Sequence, residues 1–334
     1  MSLPAALARN LRLPAIAAPM FLVSGPALVI AACKAGVIGA FPSLNARPAA
    51  TFERWLDEIE QALGNAARAA TPARPVAPYG VNLIVHRSNR RLDSDLALTV
   101  AHRAPLVISS VGHPGPVVEA VHGYGGLVLA DVIHLHHARK AIQAGVDGLI
   151  LVCAGAGGHA GTLSPFAFVR QVREFFSGPL VLAGAISDGA GIAAAQALGA
   201  DLAYLGTRFI ACEESLAPAG YKAMIVQSEA RDIIYTPAIS GIHANFMRHS
   251  LIAAGLDPEH LPPPGAHDFG AELDGETKAW RDIWSAGQGV GGIHDVPSVA
   301  SLVDRLEREW RACVADLAGA GTARRDHANS RIAR

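Results

Sequence analysis

Four glycines in seven residues close around one imidazole in Cys153-Ala-Gly-Ala-Gly-Gly-His-Ala-Gly161. A loop of this composition approaches a neighbour closely, exposes backbone N–H groups and leaves His159 as its ionisable side chain. Histidine exchanges a proton near neutral pH, so the chemistry on offer is general acid–base catalysis. The plainer reading is a flexible connection with a solvated histidine. Two further turns, Gly184-Ala-Ile-Ser-Asp-Gly189 and Leu205-Gly-Thr-Arg-Phe209, are built from small residues that let backbone amides face a phosphate, with support from a helix dipole. Ser187 and Asp188 also read as an N-cap pair for the helix that follows, and the two roles are compatible. Ala18-Pro-Met-Phe21 offers an apolar ledge for a flat ring. Asn82, set among apolar neighbours in Tyr79-Gly-Val-Asn-Leu83, needs polar partners once buried, from a ligand edge or from neighbouring backbone.

Other histidines carry less. His134, His136 and His137 fall at the start of an expected helix with no Cys or Glu spacing to complete a metal site, so no metal is expected. His86 and His113 follow apolar runs and either line the mouth of a site or sit solvated. His243 and His249 reach a site only if the segment that carries them folds over it.

Stepping outward to the elements, the chain repeats one phrase: an amphipathic stretch, a small-residue turn, a short apolar run. It appears as Lys34-Ala-Gly-Val-Ile-Gly-Ala40, Gln143-Ala-Gly-Val-Asp-Gly-Leu149 and Ala197-Leu-Gly-Ala-Asp-Leu-Ala203. Each reads as a helix closed by a left-handed glycine and a tight turn into a strand, which means parallel βαβ units. Apolar runs mark eight strands at about 14–20, 37–42, 79–85, 106–111, 126–131, 148–153, 180–185 and 202–207, with helices between them, as at 26–35, 50–63, 164–176 and 189–198. The expected fold is an α/β (β/α)8 TIM barrel, whose chemistry sits in the loops after the strands. That places the His159 loop after the sixth strand and the two small-residue turns after the seventh and eighth. A doubly wound open sheet is the alternative; it wants a glycine fingerprint after its first strand, where Ala18-Pro19-Met20-Phe21 stands.

Residues 212–280 break the repeat and carry a Leu261-Pro-Pro-Pro-Gly265 turn; they are expected to form a mostly helical insertion or lid. Residues 1–211 and 281–320 then make the barrel, with a closing helix at about 297–318 and a flexible tail at 321–334. The tail's Arg324, Arg325, Arg331 and Arg334 read as a frayed terminus rather than a binding arm.

Of 334 residues, 51% are hydrophobic and 17% charged, ample for a large core, and the net charge of −1 gives no pull toward nucleic acid or an anionic membrane. Cys33, Cys153, Cys212 and Cys313 are scattered without pairing, which suits a reducing compartment. No charged start with an apolar stretch opens the chain and no apolar run reaches the ~20 residues of a membrane span, so a cytoplasmic protein is expected.

On Gly157-Gly-His-Ala-Gly161, Gly184-Ala-Ile-Ser-Asp-Gly189 and Leu205-Gly-Thr-Arg-Phe209, in order and well spaced, the chain resembles the nitronate monooxygenases, formerly 2-nitropropane dioxygenases. The similarity runs from about residue 12 to 215 and resumes near Ile283-Trp-Ser-Ala-Gly-Gln288. These are barrels dependent on flavin mononucleotide (FMN), related to enoyl-acyl-carrier-protein reductases and NADH:quinone reductases. The resemblance implies His159 as catalytic base, and flavin contacts from Ala18, Pro19, Met20, Asn82 and Gly157. It implies phosphate contacts from Gly184, Ala185, Gly206 and Thr207, and approach to the ring by Ser285 through Gln288. It further implies a nitronate or nitroalkane substrate with O2 as partner, and a homodimer as the assembly. Three positions depart from the family pattern: Ala185 where Gly is frequent, Val152 where Gln is frequent, and Gly155 where an acidic residue is frequent. On the same scaffold the alternative is NAD(P)H-dependent reduction of a quinone or enoyl thioester; a flavin-free phosphate-binding barrel is a third reading.

Overall fold

A computed structural model describes residues 3–8, 10–265 and 280–332, and side chains of the last helix to residue 319. Eight parallel strands close into a barrel. They are β1 (Ala15–Ala17), β2 (Ile38–Pro42), β3 (Tyr79–Ile84), β4 (Leu106–Ser110), β5 (Leu127–Val132), β6 (Gly148–Val152), β8 (Leu180–Ala183) and β9 (Leu202–Leu205). β1 pairs with β9 through Ala15–Ala203, Ile16–Tyr204 and Ala17–Leu205, which closes the ring. All eight expected strands are present. A two-residue strand, β7 (Gly158–His159), lies outside the barrel in the loop after β6.

A short α1 (Ala5–Ala8) precedes the barrel. The outer layer is α2 (Pro26–Ala35), α3 (Thr51–Ala67), α4 (Leu92–Ala101), α5 (Gly115–His122), α6 (Leu135–Gln143), α7 (Pro165–Arg173) and α8 (Gly189–Leu198). Gly36, Gly145 and Gly199, the glycines of the repeated phrase, take φ of 88°, 88° and 114°; this left-handed backbone ends a helix and turns the chain back into the next strand.

The strands are buried on both faces and divide their side chains by alternation. Ile16, Ile38, Ile108, Leu129, Ile150, Val181 and Leu202 fill the barrel, whereas Ala15, Val81, Val107, Val128, Leu149, Leu180 and Ala203 pack outward under the helices.

After a short α9 (Thr207–Ile210), the described part of residues 212–280 holds α10 (Ala219–Gln227) and α11 (Arg248–Ala253). It also holds an antiparallel pair, β10 (Ile233–Thr236) and β11 (Ala244–Met247), and β11 pairs in turn with β7. The last helix, α12, runs Val299–Ile332, longer than the expected 297–318, and packs on α8 and α2. Residues 266–279 of the expected insertion and 333–334 of the expected tail lie outside the described residues. Among the described residues no helix is long and apolar enough to cross a membrane.

Candidate active site at the barrel mouth

A cavity of about 300 Å3 opens at the C-terminal ends of the strands. Its floor follows from strand period: two residues beyond each barrel-filling position, one side chain per strand faces the mouth. Ala18, Pro42, Asn82, Ser110, Asp131, Val152, Ala183 and Tyr204 occupy these places and all eight line the cavity. Polarity is concentrated on the neighbouring strands β3, β4 and β5. Asn82 Nδ2 donates to Ile108 O (3.1 Å) and to Ser110 Oγ (2.7 Å), and Ser110 Oγ donates to Asp131 Oδ2 (2.5 Å). In the ring order this polar arc lies across the mouth from β8 and β9.

Opposite the arc, the turns after β8 and β9 bring Gly184, Ala185, Gly206 and Thr207 to the cavity wall. Ala185 holds φ of +53°, a left-handed backbone that costs a residue with a Cβ about 1–2 kcal/mol, which accounts for glycine as the frequent alternative there. Gly206 leaves room: an added Cβ would meet Met20 Sδ at 3.8 Å and Ala18 Cβ at 3.9 Å, so its protein neighbours do not demand glycine. Thr207 Oγ1 accepts from Gly287 N (2.8 Å) and keeps its own proton to donate. Asp188 caps α8 by accepting from Gly191 N (2.7 Å), and Ser187 Oγ donates to Gly289 O (2.7 Å), so both expected capping residues also fix the turn. Buried Arg208 ties the β9 turn to the C-terminal segment, donating to Ala211 O and Asp295 O (both 2.8 Å).

The Ala18–Met20 ledge is braced by Asn45, whose Nδ2 donates to Met20 O (2.9 Å) and Ser24 O (2.8 Å) while its Oδ1 accepts from Leu22 N (2.8 Å). Nothing in the sequence pattern singled Asn45 out.

The wall that carries His159 is held from a distance. β7 pairs with β11 in the register His159–Ala244 and Gly158–Asn245. Asn245 Nδ2 donates to Ala156 O (2.6 Å), Ser285 Oγ accepts from Gly158 N (2.7 Å) and donates to Asn245 O (2.5 Å), and Tyr235 Oη donates to Ala160 O (2.9 Å). Gly157 is needed for this closure, since a Cβ there would stand 3.0 Å from Gly287 N. The His159 ring meets Trp280 edge-on, centroids 5.1 Å apart at 71°, and Trp280 lies against Phe246 at 5.1 Å.

His159, Ala18, Pro19, Met20, Asn82, Gly157, Gly184, Ala185, Gly206, Thr207 and Ser285 are thus gathered around one cavity. Gln288 is not on its wall; its N donates to Gly155 O (2.8 Å), bracing the His159 loop from behind, where glycine leaves space for the Gln288 side chain. Ser285 reaches the cavity, but its hydroxyl is committed to Gly158 and Asn245. Val152 stands in the floor, an apolar side chain on the strand beside that of Asp131. His86 bonds Ser88 Oγ at 2.7 Å, His113 is exposed, and His243 stacks on Tyr235 at 5.0 Å; none of them lines the cavity. His249 is also absent from its wall, and His134 caps α6 through His137 N (3.2 Å). Ser110, Asp131, Tyr204, Tyr221 and Trp280 line it without having been singled out. Asp131 was legible: it is an acid at the C-terminal end of the run Leu127-Val-Leu-Ala-Asp131.

Comparison with known proteins agrees with this geometry. The family model for nitronate monooxygenase matches residues 88–309. A nitronate monooxygenase of Paraburkholderia phytofirmans is 32% identical over 91% of this chain and 94% of its own. Among solved structures, nitroalkane oxidase from Streptomyces ansochromogenes superposes with a TM-score of 0.77 at 25% identity, covering 94% of this chain and all of that one. FabK from Thermotoga maritima gives 0.75 at 25% identity, covering 93% and 96%. The chain belongs to the nitronate monooxygenase family and is a flavin-dependent oxidoreductase on a (β/α)8 barrel.

Proposed function

We propose that the chain is an FMN-dependent nitronate monooxygenase, oxidising alkyl nitronates with O2 to a carbonyl compound and nitrite. The observation that carries the reading is one cavity with three dissimilar sides. It has small-residue turns after β8 and β9, a polar arc across the mouth on β3–β5, and a histidine on the wall above. A ligand with a phosphate at one end and a polar ring system at the other fits that layout, and the room at Gly206 fits a ligand passing there. The amides of Gly184–Ala185 and Gly206–Thr207 with the Thr207 hydroxyl hold the phosphate, the Ala18–Met20 ledge supports the ring, and Asn82 offers its amide oxygen. A flavin, when bound, would supply the redox chemistry between substrate and O2.

His159 does the proton chemistry. A neutral nitroalkane needs its α-proton removed before it becomes a nitronate, and His159 is placed to take it; a preformed nitronate needs no base. Among the described residues no lysine or arginine lines the cavity, so on this reading the anionic substrate relies on exposed amides and on His159 once protonated.

The likeness to FabK favours a second reading, NAD(P)H-dependent reduction of an enoyl thioester or quinone. Anaerobic mixing of the yellow protein with an alkyl nitronate and, separately, with NADH separates the two. Nitronate-driven loss of flavin absorbance with an inert NADH supports the monooxygenase. Rapid bleaching by NADH with no response to nitronate would sink it.

A further inference from the structure

The cavity floor carries one acid whose charge nothing nearby balances. Asp131 ends the inward face of β5; Ser110 holds its Oδ2, while its Oδ1 is shielded from solvent and has no hydrogen-bond partner. The groups around it can be named side by side. β4 presents Ser110, β6 presents Val152, and across the barrel β9 presents the Tyr204 phenol. α5 and α6 pack on the outer face of β5, away from the carboxyl. His159 and Tyr221 are the other titratable groups lining the cavity, and among the described residues no lysine or arginine joins them. Desolvation lifts the carboxyl of half-buried Asp131 to about 6, against the pull of the Ser110 hydrogen bond; desolvation, helped by the Asp131 charge, also holds the half-buried Tyr204 phenol protonated.

A buried acid in an apolar barrel usually has a cation beside it. Here Oδ1 is left to whatever fills the cavity, on the polar arc that lies away from the phosphate turn. We propose that Asp131 tunes the redox chemistry of the flavin this cavity is read to hold, taking up a proton as the ligand takes up electrons. When two electrons and one ring proton enter, the ligand gains a negative charge. A second proton then passes from solvent to the Asp131 carboxylate, giving a neutral acid that donates through its free oxygen; reoxidation releases that proton to solvent. The ionised carboxylate would otherwise face the new charge at close range in a poorly screened site. Asn82 and Ser110 complete the device: the chain Asn82 to Ser110 to Asp131 fixes Oδ2, so the proton is carried on Oδ1.

This inference rests on the flavin reading, and the test separates the two. Spectroelectrochemical titration of the FMN-loaded protein from pH 5 to 9 gives the midpoint potential against pH. The native protein takes up two protons per two electrons across a window that opens near the acid's own titration, and Asp131→Asn takes up one, with a higher potential at the alkaline end. Ser110→Ala, which removes the bond that favours the ionised acid, moves the start of the window to higher pH. Equal slopes in native protein and an Asp131→Asn variant that holds FMN would overturn the proposal. If Asp131→Asn fails to fold, an unmoved window in Ser110→Ala does the same. A native protein that holds no flavin overturns the flavin reading itself, and this inference with it.

Discussion

The floor of the cavity and the wall that carries His159 are built by opposite means. Each floor residue sits two places beyond an inward-facing position of the barrel, and each strand is hydrogen-bonded on both sides. The loop at 154–161 has a few local backbone hydrogen bonds at its ends, and its middle is held by distant residues, among them Asn245 and Ser285, 89 and 127 residues further along. On the proposed reading, cofactor binding belongs to a surface fixed by local period. Placement of His159, the proposed base, depends on the insertion and the segment that returns from it. Damage to the wall should spare ligand retention, and damage to the floor should alter the ligand's properties while leaving the base in place.

The largest expected effect is at the base. His159→Asn lowers turnover of a neutral nitroalkane by about 10²–10⁴-fold while partly sparing a preformed nitronate. Steady-state rates on both substrates check this, and equal loss on the two refutes the assignment. Next comes the wall: Ser285→Ala leaves Gly158 N and Asn245 O unpaired, costing about 1–3 kcal/mol of stability. It should lower kcat by about 10- to 100-fold by misplacing His159. The flavin spectrum of the purified variant should be unchanged; loss of flavin in step with activity would erase the distinction between floor and wall.

The floor is probed by pH. The folded state holds the Asp131 carboxyl at about 6 against an ordinary 3.8, so the group disfavours folding once it is ionised. Below the ordinary value it contributes nothing. As pH rises from about 4 to 6 the unfolded chain ionises first, and stability falls by about 3 kcal/mol. Asp131→Asn, which cannot ionise, should escape that fall, so its advantage in urea unfolding of flavin-free protein should be larger at pH 7.5 than at pH 5. The smallest effect is at Ala185. Glycine there relieves a left-handed Cβ but frees the unfolded chain, for a net gain of about 0–1 kcal/mol.

What could be read from residues alone follows the same divide. The eight strands, the left-handed Gly36, Gly145 and Gly199, and the turns at Gly184 and Gly206 are short-range patterns, and the structure contains them. The acid at the end of the run Leu127–Asp131 is legible in the sequence. That Asp131 and Ser110 face the cavity follows only from strand register, because a shift of one residue would point them into the helix layer. Ile233–Thr236 and Ala244–Met247 are four-residue runs whose pairing partners are one another and β7, so no local period announces them. Gln288 was expected at the ring by family likeness, yet its amide serves Gly155, a contact that no motif encodes.

That the described lining holds neither lysine nor arginine also bears on how a ligand would be released. An anion held by fixed amide dipoles displaces few counterions on binding, so its retention should change little between dilute buffer and strong brine. A phosphate gripped by surface cations would be washed out under the same treatment. Such a protein would keep its colour through high-salt chromatography and lose it when chaotropes loosen the turns after β8 and β9.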